Sequence, residues 1–236
     1  MTTTELLYGL SAAAANIVGA MAVTSGRRWS VQALDRTLAF TAGFLLSVAF
    51  VELIPEAIEQ TGRGAAVTAL LAYLAVHLTQ HTIGRHFHFG EETHAVSMLV
   101  SRSALIGLLL HTFVDGVAVA SGLLVSGAVG TLVFIGVLLH KFPEGLAISS
   151  LILAAGAKRS TAIGAAALLG TATPAGVALT DAFEGLQSYG LAISAGVTIY
   201  VGASNLVPEL QPRRGWGTPL SFVAGCGVFF AARSLL

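Results

Sequence analysis

An all-α membrane protein of eight transmembrane helices is the fold class this sequence predicts, on three observations. The first is composition: 55% of the 236 residues are hydrophobic and only 10% are charged. The mean hydropathy is +0.81, and a soluble domain carries about 25% charged residues, so the chain cannot make an ordinary wetted surface. The second is recurrence: apolar stretches of about 20 residues, the length that crosses a bilayer, occur eight times. The third is the lack of alternating strand patterns; lipid satisfies no backbone groups, so helices are what remains. A net charge of zero argues against nucleic-acid or acidic-surface partners. The single cysteine, Cys226, cannot close an internal disulfide.

The spans fall near 5–25, 36–58, 65–84, 99–124, 128–155, 160–180, 188–208 and 217–235. The start, "MTTTELLYGLSAAAANIVGA", lacks the basic residues that open a cleavable leader and reads as the first span. Polar breaks separate the spans: "SGRRWS", "EQTGRG", "RHFHFGEETH", "VSGAVG", "AKRS", "DAFEGLQSYG" and "ELQPRRGWGTP". They are short, so residues 1–236 read as a single transmembrane domain. Arg27, Arg28, Arg36, Arg85, Arg102, Lys158, Arg159, Arg213 and Arg214 all fall on one side of an eight-span chain. The positive-inside rule makes that side cytoplasmic and sets both termini outside. Arg63 and Arg233 lie on the other side, where Glu5, Glu56, Glu59, Asp181 and Glu184 could concentrate cations at an outer mouth.

Internal similarity narrows the class. "LLHTFVDGVAVASG" (109–122) and "LLHKFPEGLAISS" (138–150) share Leu-Leu-His-x-Phe-x-acid-Gly-x-Ala on consecutive, hence antiparallel, spans. "VELIPEA" in span two is echoed by "SNLVPEL" in span seven. Inverted repeats with interrupted helices point to a secondary transporter with its site near the midplane. Within the first pair, His111 and Asp115 are four residues apart, and so are His140 and Glu144. That spacing puts each pair on one helix face. Two imidazoles and two carboxylates suit a transition metal such as Zn²⁺ or Fe²⁺, whereas Mg²⁺ or Ca²⁺ would take oxygen alone. Pro143 frees the carbonyl of Leu139 beside His140. The alternative is that these groups glue helices through His–carboxylate hydrogen bonds. Each buried acid costs about 2.5–3.5 kcal/mol on insertion scales, however, and glue would rarely need the same motif twice.

"HTFVDG" followed by "HKFPEG" resembles the paired signatures of the ZIP family (zinc- and iron-regulated transporter-like proteins), of prokaryotic type. "FVELIPEA", "NLVPEL", the eight spans and the histidine-bearing loop after span three are similar to that family too. The resemblance implies uptake of a divalent metal, Zn²⁺ or else Fe²⁺, Mn²⁺, Co²⁺ or Cd²⁺, into the cytoplasm. It implies a multi-pass protein of the cell (inner or plasma) membrane, with 3+2+3 spans, in which spans one, four, five and six move elevator-like against two, three, seven and eight. A symmetric homodimer is a further candidate state. The transport-site ligands carry over as His111, Asp115, His140 and Glu144. Many members hold a second metal, but its positions here are Thr112, Lys141 and Thr173, which together lose their liganding character. A protonated ammonium donates hydrogen bonds and cannot bind metal. One metal, with Lys141 as a tethered cation in place of the second, is therefore expected. A snorkelling lysine is the competing account.

Other polar residues are candidates for the pathway. His77 and His81 close span three, and His86, His88 and His94 with Glu91 and Glu92 follow in the loop. They would receive or sense metal on the cytoplasmic side, or simply be solvated and packed. Glu52 either meets the pathway or pairs with Ser204 or Asn205 across to span seven. Against an intramembrane hydrolase stand the lack of HExxH and of a nucleophile elbow. A haem protein would not need a carboxylate one turn from each histidine. A sensor that binds metal without moving it is separated from a transporter by flux alone.

Overall fold

The computed structural model describes residues 2–25, 31–82, 98–207 and 215–236, and every regular element among them is helical. Helix α1 is Thr3–Thr24, and α2, Val31–Val48, runs through a π-helical turn, Ala49–Leu53, into α3, Ile54–Thr61. Then follow α4 (Gly64–Thr82), α5 (Met98–Val125), α6 (Gly127–Ala154), α7 (Arg159–Ala182) and α8 (Glu184–Ile199). A second π-helical segment, Tyr200–Leu206, extends α8, and α9 is Gly217–Leu235. Among the described residues, six helices are long and apolar enough to cross a membrane: Thr3–Thr24, Asp35–Thr61, Ala104–Val125, Gly127–Ala154, Arg159–Ala182 and Gly217–Leu235. Of the eight expected spans, the third appears as a shorter apolar helix, Gly64–Thr79, and the seventh as α8 with its π segment.

Both π segments sit where "VELIPEA" and "SNLVPEL" echo one another. In the first, Pro55 follows two residues behind the turn. Proline donates no hydrogen bond, so the carbonyl one turn before it is released and the helix can take up an extra residue. The start of α1 is set differently. Thr2 Oγ1 accepts from the Glu5 amide at 3.3 Å, and the Glu5 carboxylate accepts from the Thr2 amide at 2.5 Å. Glu5 is thus buried in a capping box, which corrects the expectation that it serves an outer mouth. The motif Thr-x-x-Glu was the available signal.

Two groups of helices pack most closely within themselves: α1, α5, α6 and α7 in one, and α2–α3, α4, α8 and α9 in the other. In lipid, close backbone approach at small residues does much of this work. Gly116 on α5 faces the Thr173 carbonyl of α7, and Gly176 on α7 faces the Phe113 carbonyl of α5, each so near that a Cβ would collide. Gly43 and Gly225 seat α2 and α9 in the same reciprocal way. Each group also owns an apolar cluster, around Ile148, Leu151 and Leu169 in the first and Leu38, Leu45 and Val197 in the second. A third cluster spans the seam, where Phe44 and Val48 meet Val133 and Val137. There the contact is made by side chains: Gly136 of α6 rests against Leu45 and Phe44.

Gly116→Ala is expected to lower the thermal midpoint of the detergent-solubilised protein, since overpacking costs about 1–3 kcal/mol. Gly164→Ala, where a Cβ meets open space, is expected to leave the midpoint unchanged or raise it, gaining helix propensity of about 0.5–1 kcal/mol. Equal midpoints for the two variants would refute the close-seat account.

Candidate metal centre

Ser126 ends α5 and caps α6, its hydroxyl accepting from the Val129 amide at 3.1 Å. This tight reversal lays α6 back along α5, with Gly122 close against Gly130. The two His-x₃-acid motifs are thereby brought face to face, and all four side chains are buried.

His111, Asp115 and His140 form one cluster, with a ligand atom of each within 4.8 Å of the others. Asp115 Oδ2 is its hub, 3.4 Å from His111 Nε2 and 3.2 Å from His140 Nε2. A tetrahedral zinc with bonds of 2.0–2.1 Å has ligand-to-ligand edges of about 3.4 Å, so these separations are near those of a coordinated set. The two imidazoles lie 5.4 Å apart between centroids, tilted by 35°. His140 is oriented from behind: its Nδ1 is 2.9 Å from the Gly136 carbonyl, to which it donates. That leaves Nε2 as the atom turned toward Asp115, and a backbone carbonyl behind the ring is the usual support of a metal-binding histidine. His111 Nδ1 is buried with no hydrogen-bond partner among the described residues.

Glu144 stands just outside this trio. Its Oε1 accepts from Thr112 Oγ1 at 2.5 Å and its Oε2 from Lys141 Nζ, also at 2.5 Å. Lys141 is wholly buried, which excludes the snorkelling account. It donates to Asp115 Oδ2 at 2.6 Å and to Thr112 Oγ1 at 3.0 Å as well. An ammonium has three donors, and all three are used. Asp115 and Glu144 thus share a single ammonium between them. Thr112 and Lys141, two of the three positions marked as a second-site surrogate, are therefore joined directly. Thr173 is buried, but its hydroxyl makes no hydrogen bond among the described residues.

The peripheral candidates divide. Glu52, on the first π turn, is paired at 2.5 Å with Nε of Arg233 from α9. Pairing with Ser204 is thus corrected: that hydroxyl bonds Tyr73 at 2.7 Å. Arg233 was missed as a partner because the two residues are 181 apart in the chain, and no local pattern joins them. His77 stacks on Tyr73 and meets Tyr200 edge-on, with centroids 6.4 and 5.9 Å away. His81 lies in the last turn of α4, and its side chain, like His86, His88, His94, Glu91 and Glu92, falls outside the described residues.

Apolar helices of membrane-crossing length enclosing a buried nitrogen-and-oxygen cluster that could hold a metal ion define the class as a multi-pass membrane protein. The model of the family described as ZIP Zinc transporter matches residues 76–231, both His-x₃-acid motifs included. The chain belongs to the ZIP zinc transporter family, whose members are transporters of zinc or related divalent metals and not enzymes. No curated protein matches the chain.

Proposed function

We propose that this protein takes up a divalent transition metal, Zn²⁺ foremost, across the cell membrane into the cytoplasm, by an elevator-like carrier mechanism. The observation that carries the reading is the His111–Asp115–His140 cluster, with Asp115 Oδ2 3.4 and 3.2 Å from the two Nε2 atoms. Glu144 is the fourth ligand, reached when a dication replaces the Lys141 ammonium on Oε2. The dication does in one place what Lys141 does between the two carboxylates, so loading exchanges counter-ions and leaves no carboxylate buried alone. With Thr112 and Thr173 at the remaining second-metal positions, the stoichiometry is one metal per chain.

The carrier mechanism is supported by the two ways the helices touch. Backbone contacts at glycine seats hold α1, α5, α6 and α7 together, and likewise α2 with α9. Between the groups side chains make the contact, and such a surface can slide without breaking a backbone seat. The paired π turns and paired signatures fit inverted repeats, eight crossings and both termini outside. His77 and His81 belong on the exit side in this arrangement.

Radioactive zinc uptake into proteoliposomes tests the reading. Uptake by wild type is expected to saturate, and His140→Ala to reduce it to the level of protein-free vesicles. Zinc bound by wild type with no flux would make the protein a sensor instead.

A further inference from the structure

The wholly buried Lys141 ammonium uses its three donors on Asp115, Glu144 and Thr112. A dication that takes the two carboxylates strips it of two acceptors, and a buried charge without partners is strongly unfavourable. Lys141 lies midway along α6, Gly127–Ala154, about 20 Å from either end at 1.5 Å per residue, farther than a side chain spans. The displaced ammonium must therefore find new acceptors inside the protein.

Two buried side chains hold acceptors that nothing uses. Asn16 on α1 is wholly buried, and neither its Oδ1 nor its Nδ2 has a hydrogen-bond partner among the described residues. Thr173 on α7 is wholly buried too, with Oγ1 unpartnered. Helix packing sets both beside Lys141. Helices α1 and α6 run parallel, since Tyr8 meets Thr131 and Asn16 meets Gly145. A Cβ on Gly145 would stand 2.8 Å from Asn16 Cα, so the two Cα atoms are within about 4 Å, one carbon–carbon bond more. Lys141 is one turn before Gly145, on the same side of α6. The Cα–Cβ bond of Asn16 tilts toward the start of its helix, which in this parallel pair is toward Lys141. Helix α7 runs antiparallel to α1, with Pro174 against Gly9 and Gly170 against Ala13. By the same tilt Thr173 leans toward Gly170 and so to the level of Ala13, one turn from Asn16. Its carbonyl seats Gly116, one turn beyond Thr112 on α5. Buried polar groups are nearly always bonded, and these two exceptions flank the one ammonium that loading displaces.

We infer that Asn16 Oδ1 and Thr173 Oγ1 form a docking station for the Lys141 ammonium, which moves onto them when a dication takes Asp115 and Glu144. Thr112 Oγ1 accepts from the lysine before and after. Two neutral acceptors replace the two carboxylates, so three donors meet three acceptors in both arrangements. Neutral oxygens hold an ammonium less firmly than carboxylates do, and the lysine returns to Asp115 and Glu144 as the metal leaves. Asn16 is thus a positioning residue that acts on the metal through Lys141. The inference rests on the proposed binding of metal at His111, Asp115, His140 and Glu144, and not on flux.

The test reads zinc affinity of the full chain in detergent, by equilibrium dialysis with ⁶⁵Zn²⁺, beside the thermal midpoint without zinc. Asn16→Leu, close to asparagine in shape, is expected to weaken zinc binding about tenfold, the worth of a hydrogen bond to a charged group. Its midpoint without zinc is expected to hold or rise, because only an unbonded amide is lost. Thr173→Val is expected to weaken binding in the same direction. In a Lys141→Met background Asn16→Leu is expected to leave affinity within about twofold, since no ammonium remains to be docked. Unaltered affinity in Asn16→Leu, with or without a lower midpoint, would reduce Asn16 to packing and overturn the inference. A loss that persists in full beside Lys141→Met would overturn it as well, by making Asn16 a contact of the metal itself. Zinc bound by wild type without flux would instead overturn the transport reading and leave the station in place.

Discussion

Lys141→Met is expected to be among the most destabilising single substitutions in this chain. Lys141 is wholly buried and donates to Asp115, Glu144 and Thr112. Removing one partner of a buried ion pair costs about 3–5 kcal/mol, because a charge is left uncompensated. In a chain of this size that corresponds to a fall of about 10 °C in the thermal midpoint, measured in detergent. Zinc is expected to recover more stability for the variant than for wild type, since a dication supplies the charge the lysine no longer does. An unchanged midpoint, or no differential rescue by zinc, would remove Lys141 from its role as tethered cation. Lys141→Asn adds a count: metal per chain by elemental analysis is expected to rise above one if the lysine occupies a second metal's place. An unchanged count would weaken that account.

The second large effect is expected at Asp115. Its Oδ2 meets His111, His140 and Lys141 at 3.4, 3.2 and 2.6 Å, so one oxygen serves ligand geometry and charge balance together. Asp115→Asn keeps the shape and removes the charge. Zinc uptake is expected to fall by more than the 10–100-fold that loss of a supporting contact costs a metal site. Thermal stability should change far less than in Lys141→Met, because Lys141 keeps Glu144 as its counter-ion. Uptake within about twofold of wild type would place the transported ion elsewhere in the chain, since even the smallest loss expected is about tenfold.

Much of the centre was legible because it is local. His111 with Asp115 and His140 with Glu144 are one helical turn apart, and that spacing alone puts each pair on one face. The repeat placed the two pairs on neighbouring antiparallel helices, as the turn at Ser126 does. The capping box of α1 is equally local in "TTTE", where the spacing of Glu5 to Thr2, rather than its charge, decides what the carboxylate does. The π turns left only the trace of two similar motifs, since hydropathy averages over the single residue that separates a π turn from an α turn.

By itself the sequence determined the all-helical class, the apolar spans and the four ionisable groups of the centre. Each follows from hydropathy or from spacing within one turn. The tertiary structure decided how those groups are joined: three ligand atoms gathered at Asp115, with Glu144 held off by Thr112 and Lys141. It alone paired Glu52 with Arg233 and sorted the helices into two groups. Such choices rest on contacts between residues far apart in the chain, where a buried charge takes whichever partner packing brings within reach.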